Sequence, residues 1–114
     1  MIKVQALQVP PAEIEATLLE HPDISDAGVV GITLQDEEWP RAYISLNEGA
    51  RGKVTEPQIQ KWIEERVSKH KRLVGGVVFI PEVPRLPSGK IQRKVMKEWA
   101  KRDAPKLNNR IARL

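Results

Sequence analysis

Apolar and polar positions change rhythm several times along the chain, and each change predicts an element. Residues 2–9, "IKVQALQV", alternate loosely and fit a short strand or hairpin arm. "PPAEIEATLLEHP" reads as a helix. Ile14 and Leu18 stand four apart on one face, Pro10 and Pro11 suit the first turn, and Pro22 marks the end. Glu13 and Glu15 favour the positive N-terminal end of that helix. The β-branched run from Ile24 to Ile32 predicts a buried strand. "LQDEEWP" reads as a polar loop. In "RAYISLN", Ala42, Ile44 and Leu46 face one way and Arg41, Tyr43 and Ser45 the other, which predicts a half-buried strand. "EGARGK" follows as a turn.

Thr55 opens a second helix, with Gln58 as capping-box partner. Ile59, Trp62, Ile63 and Val67 fall at i, i+3, i+4 and i+8 on one face. After Gly75 and Gly76, Val77 to Ile80 predicts a third core strand. A Pro-rich loop comes next, then a helix from about Ile91 to Lys101 with Val95, Met96 and Trp99 on its apolar side. Residues 103–114 show no clear period and read as a basic tail after a domain spanning 1–102. The expected fold is α/β (α+β). It is a small mixed sheet with about three packed helices, in the order β-α-β-β-α-β-α, preceded by a short hairpin arm.

Composition narrows the chemistry. With 114 residues the chain forms one domain with little room for a deep pocket. No cysteine is present, which excludes disulfides, thiolate metal sites and cysteine nucleophiles. His21 and His70 lie far apart, so no metal site is expected, and His21 reads as a helix-end residue. Trp39, Trp62 and Trp99 read as packing residues. No apolar run is long enough to span a membrane, and the start lacks the pattern of a signal peptide. The protein is therefore expected to be intracellular.

The net charge of +4 is uneven: residues 85–114 carry +8 and residues 1–84 carry −4. A basic end suggests a polyanionic partner such as a nucleotide phosphate. Nucleic acid is disfavoured, because aromatic content is 4% and no nucleic-acid motif appears.

Within the basic end, "PRLPSGKIQRK" holds Lys90 among prolines and a glycine. It is not a phosphate-binding P-loop, since Pro84 replaces the first glycine and Ile91 follows the lysine. The acidic cluster Asp36-Glu37-Glu38 reads as a solvated turn. An isolated "GK" would be an ordinary exposed lysine.

Three stretches in register change that reading. "PSGKIQRK", with Pro84, Gly89, Lys90 and Arg93, resembles the C-terminal lysine motif Pro-x-x-x-x-Gly-Lys-x-x-Arg of the adenylate-forming superfamily. "QVPPAEIEATLLEHPDISDAGVVG" is similar to the segment after that family's interdomain hinge, and "VVFIPEVPRLPSGK" to its last strand and lysine loop. The likeness runs from about Ile2 to Ala100. That superfamily includes acyl-CoA synthetases, 4-coumarate:CoA ligases and luciferases, and the flavour here is that of the 4-coumarate:CoA ligase and fatty-acyl-CoA synthetase branch.

The resemblance implies a mobile C-terminal lid that works with a large N-terminal adenylation domain. Lys90 would be the adenylation lysine. Lys3 and Gln8 would contact the acyl-adenylate or its phosphate. ATP with Mg2+ and CoA would be co-substrates of the full enzyme, with none bound to the isolated domain. The family's "KxKG" falls on Lys3-Val4-Gln5-Ala6, so Gln5 replaces a lysine and Ala6 a glycine on the CoA side. A Cβ at position 6 would crowd the approach of CoA. Glu37 also stands where the family carries glycine. The chain is expected to be an excised domain or fragment, inactive by itself. The alternatives are a binding module docking in trans to a separate adenylation domain, or a nucleic-acid module using residues 85–114. Ala112-Arg113-Leu114 resembles a peroxisomal address; otherwise a cytoplasmic location is expected.

Overall fold

The structure, a computed structural model, describes residues 1–112. Arg113 and Leu114 of the expected address lie outside the described residues. The expected arm is a hairpin in which β1 (Ile2–Val4) pairs antiparallel with β2 (Leu7–Val9). Its turn is Gln5 and Ala6, at φ 49° and 69°. Two left-handed residues match the right-handed twist of a two-residue hairpin.

α1 (Pro11–Leu18) follows, with Ile14 and Leu18 fully buried as their spacing predicted. β3 (Ile24–Leu34) and β4 (Glu37–Leu46) then form one long antiparallel hairpin. This corrects the expected loop over 34–40. The acidic residues 37 and 38 lie in β4, and only Gln35 and Asp36, at φ 51° and 64°, form the turn. Non-glycine residues at positive φ need support. Here the Asn108 Oδ1 accepts the Gln35 N–H at 2.9 Å.

α2 (Glu56–Glu64) begins with the predicted capping box. The Thr55 N–H donates to Gln58 Oε1 at 2.9 Å, and the Gln58 N–H donates to Thr55 Oγ1 at 3.3 Å. β5 (Val77–Phe79) pairs parallel with β4, giving the sheet order β3-β4-β5. α3 runs from Arg93 to Ala112, so residues 103–112, expected as part of a basic tail, continue the helix through Pro105. Among the described residues, no helix is long and apolar enough to cross a membrane.

The sheet separates two cores. Ile14, Leu18, Ile59, Ile63 and Leu73 pack with Val29, Ala42 and Ile44 on one side. Met96 and Ala100 of α3 pack with Val30, Ile32 and Tyr43 on the other. β4 is thus covered on both faces rather than half-buried: Arg41, Tyr43 and Ser45 are 5%, 1% and 6% exposed. Gly28 faces α3, and an added Cβ there would lie 2.5 Å from the Met96 sulfur, so the Met96 side chain would have to shift. A bulge between Ile24 and Asp26 sets which face each β3 side chain takes.

Candidate functional site

Lys90 sits in a miniature hairpin between β5 and α3. The Leu86 N–H donates to the Lys90 carbonyl at 2.8 Å, and the Gly89 N–H donates to the Leu86 carbonyl at 2.8 Å. Arg85 and Ile91 bridge beneath them. The three-residue loop is therefore Pro87-Ser88-Gly89, with Gly89 at φ +92°. Loops of this length end in a left-handed residue, and glycine adopts it without strain. Proline at 87 fixes the turn's first corner. The lysine side chain is exposed and makes no hydrogen bond or ion pair among the described residues. It borders a shallow concavity with Leu86, Ile91 and Val95.

Two ion pairs, Arg85 with Asp26 and Arg93 with Glu15, brace this loop on its two flanks. Arg85 Nε and Nη2 donate to the two oxygens of Asp26, each at 2.8 Å, and Nη1 donates to the Gly89 carbonyl. The Arg85 guanidinium holds the Asp26 carboxyl below its usual value. On the far side, Arg93 donates to Glu15 Oε1 while Glu15 Oε2 accepts the Val29 N–H at 2.8 Å. Glu15 is 6% exposed. Burial pushes its carboxyl up, against the pull of the Val29 N–H and the Arg93 charge. Beyond the expected place near the positive end of the helix, Glu15 forms a buried tie between α1, β3 and α3. No sequence signal distinguished Glu15 from Glu13; only the tertiary contact does.

The other expected site residues gather on the first hairpin. Lys3 and Gln8 are cross-strand partners in β1 and β2, both exposed, and Gln5 and Ala6 form the turn beyond them. The Lys3 N–H donates to Glu38 Oε1 at 2.6 Å, which fastens the hairpin to β4. No hydrogen bond or ion pair links Lys90 to these four among the described residues. Ala6 lies in the left-handed region where a glycine costs least. Among the described residues, no group of three or more His, Asp or Glu side chains could hold a metal ion. His21 acts locally, its Nδ1 accepting the Asp23 N–H at 3.0 Å, and its ring packs edge-on against Trp62. Trp99 packs edge-on against Tyr43.

Arg41 and Asp103 form a second polar centre, away from Lys90 in sequence. The Arg41 Nη2 donates to Asp103 Oδ2 at 2.9 Å, its Nε to the Tyr43 hydroxyl at 3.0 Å and its Nη1 to the Gly75 carbonyl at 2.7 Å. Burial works to raise the Asp103 carboxyl, but Arg41 and Arg102 together hold it below its usual value. Burial also raises the Tyr43 hydroxyl. Each nitrogen of the Arg41 guanidinium has a partner within the protein, so this centre reads as a structural network.

Residues 13–90 match the model of the AMP-binding enzyme C-terminal domain family. The chain is 44% identical over 108 residues to luciferin 4-monooxygenase of Luciola mingrelica, covering 94% of this chain and 19% of the relative. It is 38% identical over 108 residues to probable 4-coumarate–CoA ligase 1 of Dictyostelium discoideum, with the same coverage of 94% and 19%. A Mycobacterium tuberculosis fatty acyl CoA synthetase structure superposes with a TM-score of 0.76 at 30% identity, over 87% of this chain and 19% of that one. The chain therefore spans about a fifth of the length of these relatives. With the motifs and the fold agreeing, the chain belongs to the AMP-binding enzyme C-terminal domain family.

Proposed function

We propose that this chain is the mobile lid of an AMP-forming acyl- or aryl-CoA ligase, and that Lys90 serves its adenylation step. One observation carries the reading: an ammonium without a partner among the described residues stands beside the turn of a hairpin braced on both flanks. Such a group completes an anion site only with atoms brought by another domain. In the reaction proposed, a carboxylate oxygen attacks the α-phosphorus of ATP, and pyrophosphate leaves with the electrons of the broken P–O bond. Negative charge accumulates around that phosphorus, and a pre-placed ammonium stabilises it. Lysine suits the task as a compact charge on a long stem.

The lid then rotates, withdraws Lys90 and presents its first hairpin for thioester formation with CoA. Lys3 and Gln8 would face the acyl-adenylate, with Gln5 and Ala6 on the CoA side. ATP with Mg2+, CoA and the acid belong to the whole enzyme, whose adenylation domain holds them. The isolated chain is expected to bind none of them and to catalyse no pyrophosphate exchange. Ala112-Arg113-Leu114 is read as a peroxisomal address, and a fluorescent protein ending in these residues should enter peroxisomes.

The test replaces the matching fifth of the Dictyostelium ligase with this chain. Lys90→Ala in that chimera should lower ATP–pyrophosphate exchange about 10²–10³-fold, while thioester formation from supplied acyl-adenylate persists. Full exchange in the Lys90→Ala chimera would falsify the role of Lys90. Mixing the chain with a truncated ligase tests whether docking in trans also restores exchange.

A further inference from the structure

Lys90 has a flexible side chain, so its aim depends on how firmly the loop is held. A three-residue loop alone does not fix that aim. The Arg85 guanidinium does more than pair with a carboxylate: its fork takes both oxygens of Asp26, and its remaining nitrogen reaches the carbonyl of Gly89, the residue preceding Lys90. One planar group thus connects β3 to the backbone beside Lys90. A lysine at position 85 would keep the charge but lose the fork. The bulge at Ile24 and Asp26 helps to set the face of β3 on which the carboxylate stands. Exposed ion pairs add little to stability, which leaves orientation as the stronger consequence of this geometry.

We propose that Asp26 and Arg85 form a positioning clasp that fixes the direction of Lys90 for adenylation. The clasp rests on the adenylation reading above and assigns two residues that the lysine motif does not contain. It predicts that loosening the loop impairs the step that uses Lys90 and spares the step from which Lys90 is withdrawn.

The test makes Arg85→Lys and Asp26→Asn. In the 114-residue chain, NMR order parameters of the Gly89 and Lys90 amides should fall from rigid values of about 0.85 to below about 0.6. The Val29 amide should stay as in the parent, and the melting temperature should fall only slightly, as for a partly exposed ion pair. In the ligase chimera, the same variants should lose about tenfold to hundredfold in pyrophosphate exchange, with thioester formation from supplied adenylate unchanged. Asp26→Glu, which keeps a two-oxygen acceptor, should recover part of the exchange. Unchanged loop order in both variants overturns the clasp, as does a loosened loop with full exchange. A joint fall of both half-reactions and of the melting temperature also overturns it, because that marks a fold defect. If exchange survives Lys90→Ala, the adenylation reading fails instead, and the order parameters still decide whether the clasp holds the loop.

Discussion

The two faces of the three-stranded sheet are closed by different physics. On the α1 and α2 side, Ile14, Leu18, Ile59 and Ile63 meet the sheet mainly through aliphatic contact, joined by single hydrogen bonds from the Val29 and Phe79 N–H groups to Glu15 and Glu56. On the α3 side, Met96 and Ala100 share the interface with a charge pair, Arg41–Asp103, whose side chains are 7% and 23% exposed. Aliphatic burial is non-directional and tolerates small shifts. The charge pair requires every bond to be made, because an unpaired buried guanidinium is costly. The first face therefore supplies adhesion, while the second also fixes where α3 lies across β3 and β4.

The sharpest way to break the contrast is to truncate each side. Leu18→Ala should destabilise the chain by about 2–5 kcal/mol, through lost burial and a residual cavity, read from denaturant unfolding. Asp103→Ala should cost about 2–3 kcal/mol by leaving Arg41 without its carboxylate. That loss should appear as lowered hydrogen-exchange protection in α3 before α1 and α2. Equal loss of protection on both faces would show that the sheet unfolds as one unit and remove the distinction.

Acid sharpens the comparison. Asp103 and Asp26 both have folded values below the ordinary 3.8, so their stabilisation is present above 3.8 and is lost as pH falls through the lowered values. Glu15 has the opposite sign. Raised from 4.5, it is a cost at neutral pH, and its proton-linked stability disappears as pH rises through the folded value. Asp103→Asn should flatten the decline of stability below pH 3.8, measured as melting temperature against pH. An unchanged slope would mean that Asp103 is not held down by Arg41.

The smallest effect expected is a gain. Ala6→Gly should relieve the positive φ of the first turn and stabilise the chain by about 0.5–1 kcal/mol. A melting temperature that falls would show that the turn tolerates its Cβ without strain.

Elements with a single apolar face were legible from the sequence. Ile59 and Ile63 announced α2, and Thr55 with Gln58 announced its start, because capping and 3.6-residue periodicity are local properties. The second half of α3 was not legible. Its contact positions continue the period through Trp99, Ala100, Asp103, Ala104, Leu107 and Asn108, none of them exposed. Asp, Asn and Ala carry no apolar signal, and Pro105 argues for a break. Asp103 sits at a half-buried position where Arg41 meets it across the sheet. The same holds for the strand at 37–40, where two glutamates masked a ladder whose turn is supported by Asn108.

By itself the sequence determined the order of elements and the family, and singled out Lys90 as the candidate site residue. Those depend on local periodicity and on short motifs of fixed spacing. Only the tertiary structure decided that both faces of β4 are covered, that Glu15 ties α1 to α3, and that Asp26 and Arg85 hold the lysine loop. Each of those facts joins residues far apart in the chain, 59 positions apart for Asp26 and Arg85 and 62 for Arg41 and Asp103. A charge's partner is set by where the backbone brings it, and no local pattern encodes that.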